Sequence, residues 1–332
     1  MKKILTILFF LIINSANSRV VVYSEATDVF EIIDQVSMWH PSISGEMKKK
    51  WQQHFKTQNN YERDFQDYAK IRKKYYKKPY PTSEDIFGPT VIANNFFSNA
   101  FYHNKSVSKA LMKLKKKITK SEYDFLVQFL KKLMKPISEF VKESTTFNKQ
   151  VKMMEKEWKK SKAEATYRKL LKFVGIKKRI NLMIRPVWWP ANEKPRIDVR
   201  GNIVLLRYHP LEQKSFWDPK EVLEAVTAEV LASLSPNSRE NMTKIFTGHC
   251  SEKKDILKLS LTQLWSRIYF SKLNHKKNFT LYRIWSENQF VDVYIKLLFP
   301  LLEETLKKKG TLEGTFIDQA SAVCAQLTSL KS

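Results

Sequence analysis

EVLEAVTAEVLASLSP, residues 221–236, is the stretch whose reading decides the fold. At 3.6 residues per turn it forms one amphipathic helix. Val222, Val226, Val230 and Leu234 make a stripe at four-residue spacing, and Glu229, seven residues after Val222, stands almost directly above it. An unpaired charge on an apolar face is costly, so Glu229 is the first candidate functional residue. The helix start is well specified, with Asp218 as N-cap, Pro219 at the first helical position and Glu221 three residues past the cap. The competing reading is an ordinary helix glutamate paired with one of the many Lys or Arg side chains.

Upstream, INLMIRPVWWP (180–190) and GNIVLLRYHPL (201–211) are short β-branched or aromatic runs, and they predict two strands joined by the polar excursion ANEKPRIDVRG. Adjacent strand residues face opposite sides. One ring of the Trp188–Trp189 pair therefore belongs to the core, and the other is a binding candidate if exposed; core packing of both is the competing reading. Further upstream, RVVVYSE (19–25) is a candidate strand, and TDVFEIIDQVSMWHP (27–41) predicts a helix capped by Thr27 or Asp28 and stopped by Pro41. Between Gly45 and Tyr76, Trp51, Phe55, Phe65, Tyr68 and Ile71 recur at helical intervals and read as core. KKPYPTSEDIFGPT (77–90) reads as a loop. Helices follow to Val174, one starting within Ser121–Asp124 and the last ended by Gly175. From Asn241 the chain is helical again, with a helical hairpin around KKKGTLEG (307–314).

These elements predict an α+β fold, predominantly helical, with a small sheet packed on the 219–234 helix. A basic helical region (19–175) precedes a region holding strands, that helix and the C-terminal helices (176–332). With 332 residues, 43% of them hydrophobic, and seven glycines, the chain can build a large helical core. MKKILTILFFLIINSANS has two lysines, an apolar run from Ile4 to Ile13 and small polar residues to Ser18, and so predicts a signal peptide over 1–18 and a secreted or periplasmic mature chain. Ten apolar residues are far short of the ~20 that span a bilayer.

The formal charge of +26 is the chief compositional anomaly. Lysines and arginines dominate 105–179, and such a field attracts anionic surfaces. For an exported chain these would be glycans, lipopolysaccharide or membrane headgroups, with no nucleic-acid partner expected. The competing reading is solvated helix faces, since the charges alternate with core-type residues. The six histidines show no i, i+4 pair, and no GxSxG, GxxxxGK or GxGxxG motif occurs. Cys250 and Cys324 are a candidate disulfide in an oxidising compartment, with two separately buried thiols as the alternative. His249 and Cys250 with Cys324 are a weaker candidate metal set, and Cys250 with a histidine a candidate nucleophile pair.

Ala228-Glu229-Val230-Leu231-Ala232, on an apolar helix after two strand-like segments, resembles the His-Glu-x-x-His helix of zincin-type metallopeptidases. The likeness is to secreted bacterial, gluzincin-like members, whose third zinc ligand is a downstream glutamate. LKLSLTQLWSRIYF (257–270) lies where the acidic helix of that family follows, with Lys258 and Leu259 at the glutamate positions. The segments 290–320 and 34–76 are similar in pattern to such proteins. The resemblance implies a zincin-like architecture with Glu229 as relic general base and Ala228, Ala232 and Leu259 as relic ligand positions. Zinc needs three His, Cys or carboxylate donors. The expectation is therefore an inactive homologue, without metal or cofactor, that binds a peptide or protein. A cationic module for anionic surfaces, or a hydrolase in which Glu229 meets a His, Cys or acid from elsewhere in the chain, are the alternatives.

Overall fold

A computed structural model describes residues 19–41, 43–55, 61–76, 96–177, 180–211, 217–232, 234 and 254–329. The expected leader, the 77–90 loop, His249 and Cys250 lie outside the described residues.

The protein is predominantly helical with one small sheet. Helices α1 (Glu25–Ser37), α2 (Glu46–His54), α3 (Glu62–Lys74), α4 (Phe96–Tyr102), α5 (Val107–Leu114), α6 (Lys120–Phe140), α7 (Phe147–Lys160) and α8 (Ala163–Phe173) precede strands β1 (Met183–Trp188), β2 (Arg196–Arg200) and β3 (Ile203–Tyr208). After the sheet come α9 (Pro219–Ala232), α10 (Lys254–Gln263), a π turn (Leu264–Tyr269), α11 (Phe270–Asn274), α12 (Gln289–Lys307) and α13 (Thr315–Ser329). One apolar core runs from Val21 to Cys324 and includes both the N-terminal helices and the region around the sheet.

Local chemistry explains most boundaries. The cap of α1 is Ser24, whose hydroxyl accepts from Thr27 N. This corrects the expected Thr27 or Asp28, and the reason is burial: both are about 1% exposed or less, and Asp28 serves the sheet instead. The start of α6 is a capping box between Thr119 and Glu122, just ahead of the expected Ser121. Gly175, with φ of 80°, closes α8: its N–H bonds Lys172 O while Ile176 N reaches back to Leu171 O. Trp51, Phe65, Tyr68 and Ile71 are buried as expected, and Phe55 packs against them half-buried. The hairpin around 307–314 joins α12 to α13.

The sheet departs from expectation. Its order is β1-β3-β2, with β1 parallel and β2 antiparallel to β3. The supposed polar excursion thus contains a strand of its own, β2, returning through the two-residue turn Gly201–Asn202. Gly201 there has φ of 63°, a conformation that costs glycine little. The N-terminal run contributes a single bridge, Val21 to Ile184, in place of a full strand.

Residues paired across a sheet share a face. Arg196, Asp198 and Arg200 of β2 therefore lie on the face that also carries Arg207 and Arg185. Helix α1 covers this face through Glu31. On the other face Tyr208 meets Phe147 of α7, ring centroids 5.1 Å apart, and its hydroxyl donates to Gln150 Oε1 at 2.7 Å.

Candidate functional site

The Asp218 carboxylate caps α9 by accepting from Lys220 N at 2.8 Å. Val222, Val226, Val230 and Leu234 are buried in the core, as their spacing predicts. The flank bearing Ala225, Ala228, Glu229 and Ala232 faces a cleft. Strand β2 forms the opposite wall, Gln35 and Trp39 at the end of α1 lie beneath, and Lys258 of α10 closes one side. Arg267 in the π turn ties α9 to this arrangement by two bonds of 3.0 Å to the Glu224 carboxylate and one of 3.0 Å to Trp285 O.

The cleft has an inner chamber of about 460 Å³ and an outer one of about 590 Å³. Ile197, Ala225, Ala228 and Lys258 line both. The structure therefore gathers every position singled out around the helix motif: Ala228 between the chambers, Glu229 and Ala232 in the inner one, Leu259 in the outer one. Glu229 is half-buried. Burial pushes its carboxyl above the ordinary glutamate range, and the Lys258 ammonium opposes that shift.

These residues do not fit zinc. Ala228 and Ala232 present methyl groups, Leu259 has no donor, and Lys258 brings a cation where the resemblance would require an anion. Among the described residues no three His, Cys, Asp or Glu side chains gather as a ligand set.

The outer edge of β2, which pairs with no further strand among the described residues, is the cleft's other resource. Carbonyls of Asn202 and Tyr208 accept from Met183 N and Trp189 N, so even-numbered residues of β3 turn toward β1 and odd ones toward β2. The partners of those odd residues are Arg196, Asp198 and Arg200. By alternation, Ile197 and Val199 turn their N–H and C=O groups away from β3. These groups bond to no other described residue. The far edge of the sheet is occupied, because Val22 N donates to Ile184 O and Ile184 N to Val20 O, at 3.0 and 2.8 Å.

Beneath β2 lies a buried ionic network that sequence reading missed. Glu31 receives Arg207 and Arg200, and the Tyr102 hydroxyl donates to it as well. Burial alone would raise its pKa, but the two guanidiniums hold it down at about 2. Asp34 takes Arg72 through two 2.8 Å bonds and Tyr68 Oη at 2.5 Å. The Arg72 guanidinium, fully buried, lies 4.3 Å from the Trp39 ring. Asp198 pairs with Arg207. Asp28, next along α1, accepts from Trp188 N at 2.9 Å and Tyr23 Oη at 3.0 Å; burial outweighs those bonds and raises its pKa to about 7.

The tryptophan pair contributes indirectly. Both rings are buried, so neither is a surface contact, which settles their place in favour of core packing. Trp189 supports the site from behind, with Arg196 4.3 Å and Arg207 5.7 Å from its ring. Lys113 lies exposed on α5 between buried Leu111 and Leu114, and Lys115, Lys116 and Lys117 lie exposed in the turn that follows the helix. Cys324 is buried and disulfide-bonded. No helix among the described residues is long and apolar enough to cross a membrane. Compared with known proteins, the chain matches no family model, no curated protein and no solved structure.

Proposed function

We propose that this is an exported peptide- or protein-binding protein whose cleft takes an extended segment as an added strand on β2, without metal-dependent catalysis. The observation that carries this reading is the pair of outward-facing backbone positions, Ile197 and Val199, opening onto a cleft whose far wall is α9 with Glu229. Strand addition relies on main-chain hydrogen bonds for affinity and on side-chain pockets for selectivity, so it needs none of the donors that Ala228, Ala232 and Leu259 lack. Without a metal to lower the pKa of a bound water, Glu229 alone does not generate hydroxide at neutral pH.

Two measurements test the reading. Ile197→Pro removes one outward N–H and leaves the bonds from β2 to β3 in place, since proline is tolerated on the open side of an edge strand. Retention of extended peptides from a randomised heptapeptide array is expected to fall about tenfold, roughly the 1.4 kcal/mol of a lost backbone bond with some steric cost, while the melting temperature stays within a few degrees. Unchanged retention would contradict edge docking. Separately, a quenched-fluorescence peptide pool incubated with the protein and added Zn²⁺ is expected to show no chelator-sensitive cleavage; metal-dependent turnover would restore the hydrolase alternative.

A further inference from the structure

The inner chamber is lined by four cations, Arg196, Arg200, Arg207 and Lys258, and four acids, Glu31, Asp34, Asp198 and Glu229. Arg207 is buried and Arg200 largely so, and both are committed to Glu31. The Arg196 side chain is 40% exposed, so its guanidinium is within reach of a group bound in the cleft.

Charge points the same way. Each acid in and beneath the chamber already has a cation: Glu31 has Arg207 and Arg200, Asp34 has Arg72, Asp198 has Arg207, and Glu229 faces Lys258. Arg196 has only a long ion pair, to an aspartate already paired with Arg207. Its nearest carboxylate oxygen, on Asp198, is 3.8 Å away, beyond hydrogen-bonding reach. Burial, and then repulsion from Arg207, lowers the Arg196 pKa to about 10, as expected for a guanidinium short of counter-charge. A strand added to the edge of β2 would project alternate side chains on the sheet face that carries Arg196, Asp198 and Arg200.

We propose that the inner chamber recognises a carboxylate of the bound chain, with the planar fork of Arg196 as its principal contact. A carboxylate has about four lone-pair sites and matches a guanidinium fork bidentately. Two sources supply that chemistry, an acidic side chain within the peptide or its C-terminal carboxylate. The inference rests on the reading of β2 as the docking edge.

The test uses the mature protein and three sets of randomised, labelled heptapeptides: central Glu with an amidated C-terminus, central Gln with an amidated C-terminus, and central Gln with a free C-terminus. An internal acid as ligand predicts at least tenfold stronger retention of the first set over the second; a terminal carboxylate predicts the same preference for the third. Arg196→Met, which keeps an apolar chain over Trp189, is expected to bring retention of the carboxylate-bearing and amidated Gln sets within about twofold of each other. Arg196→Lys is expected to restore only part of the preference, because an ammonium lacks the fork. Equal retention of all three sets would overturn carboxylate recognition and leave edge docking standing. If no set is retained, edge docking fails, and the chamber is then judged by titrating glutarate against tryptophan fluorescence: saturable quenching absent from Arg196→Met supports the anion site, and its absence in both proteins overturns it.

Discussion

Replacing Glu31 by alanine is expected to destabilise the protein by ~3–5 kcal/mol, the usual cost of removing one partner from a buried ion pair and leaving the other uncompensated. Here Arg200 would lose its carboxylate and the almost wholly buried Arg207 would keep only Asp198, since both converge on Glu31. Such a loss is a large fraction of a typical domain's stability. Urea unfolding followed by tryptophan fluorescence is the measurement. A Glu31→Ala protein less than about 1 kcal/mol weaker than the parent would show that the network does not hold α1 against the sheet. The same carboxylate, with its pKa held at about 2 against an ordinary 4.5, contributes stability that is complete above pH 4.5 and lost as pH falls through about 2. At about 1.4 kcal/mol per unit, that limb is worth roughly 3 kcal/mol.

Asp28 produces the opposite limb. Its folded pKa, about 7, lies above the ordinary value of 3.8 because burial disfavours the charge. The folded state therefore binds an extra proton between about pH 4 and pH 7, and stability falls as pH rises across that window. The full effect is on the order of 4 kcal/mol above pH 7. Asn at position 28 retains an oxygen for Trp188 N and supplies a donor toward Tyr23, whose hydroxyl can then donate to Ser144. The Asp28→Asn protein is expected to match the parent near pH 4 and to exceed it by several kcal/mol at pH 8. Parallel stability curves for the two proteins would mean that Asp28 does not titrate in this range. Glu31 and Asp28, one turn apart on α1, together place the stability maximum in mildly acidic solution.

Most helices were legible in the sequence because periodicity and caps are local. The quoted helix has its cap, its proline and its apolar stripe within sixteen residues, and Glu229 was visible as an acid beside that stripe. Strand β2 was not legible. RIDVR carries only two apolar residues among three charges, a composition that ordinarily marks a loop, and its charges are tolerable only because their partners come from far away. Arg200 and Arg207 meet a glutamate 169 and 176 residues earlier in the chain. A usable signal did exist. Glu31 and Asp34 sit three apart within the apolar DVFEIIDQV, and Arg185 and Arg207 interrupt otherwise apolar strand runs. Acids and bases stranded in separate buried elements are expected to be each other's partners. The same reasoning that singled out Glu229 applies to them and leads to the inner chamber.

Residue-resolved amide hydrogen exchange across β2 tests the central claim most directly. In the free protein the amides of Ile197 and Val199 are expected to exchange rapidly, while those of Arg196, Asp198 and Arg200 are slowed by their bonds to β3; with a retained peptide present, all five should be slow. Ile197 and Val199 amides already protected without peptide, or still fast at saturating peptide, would contradict an open edge that binds by strand addition.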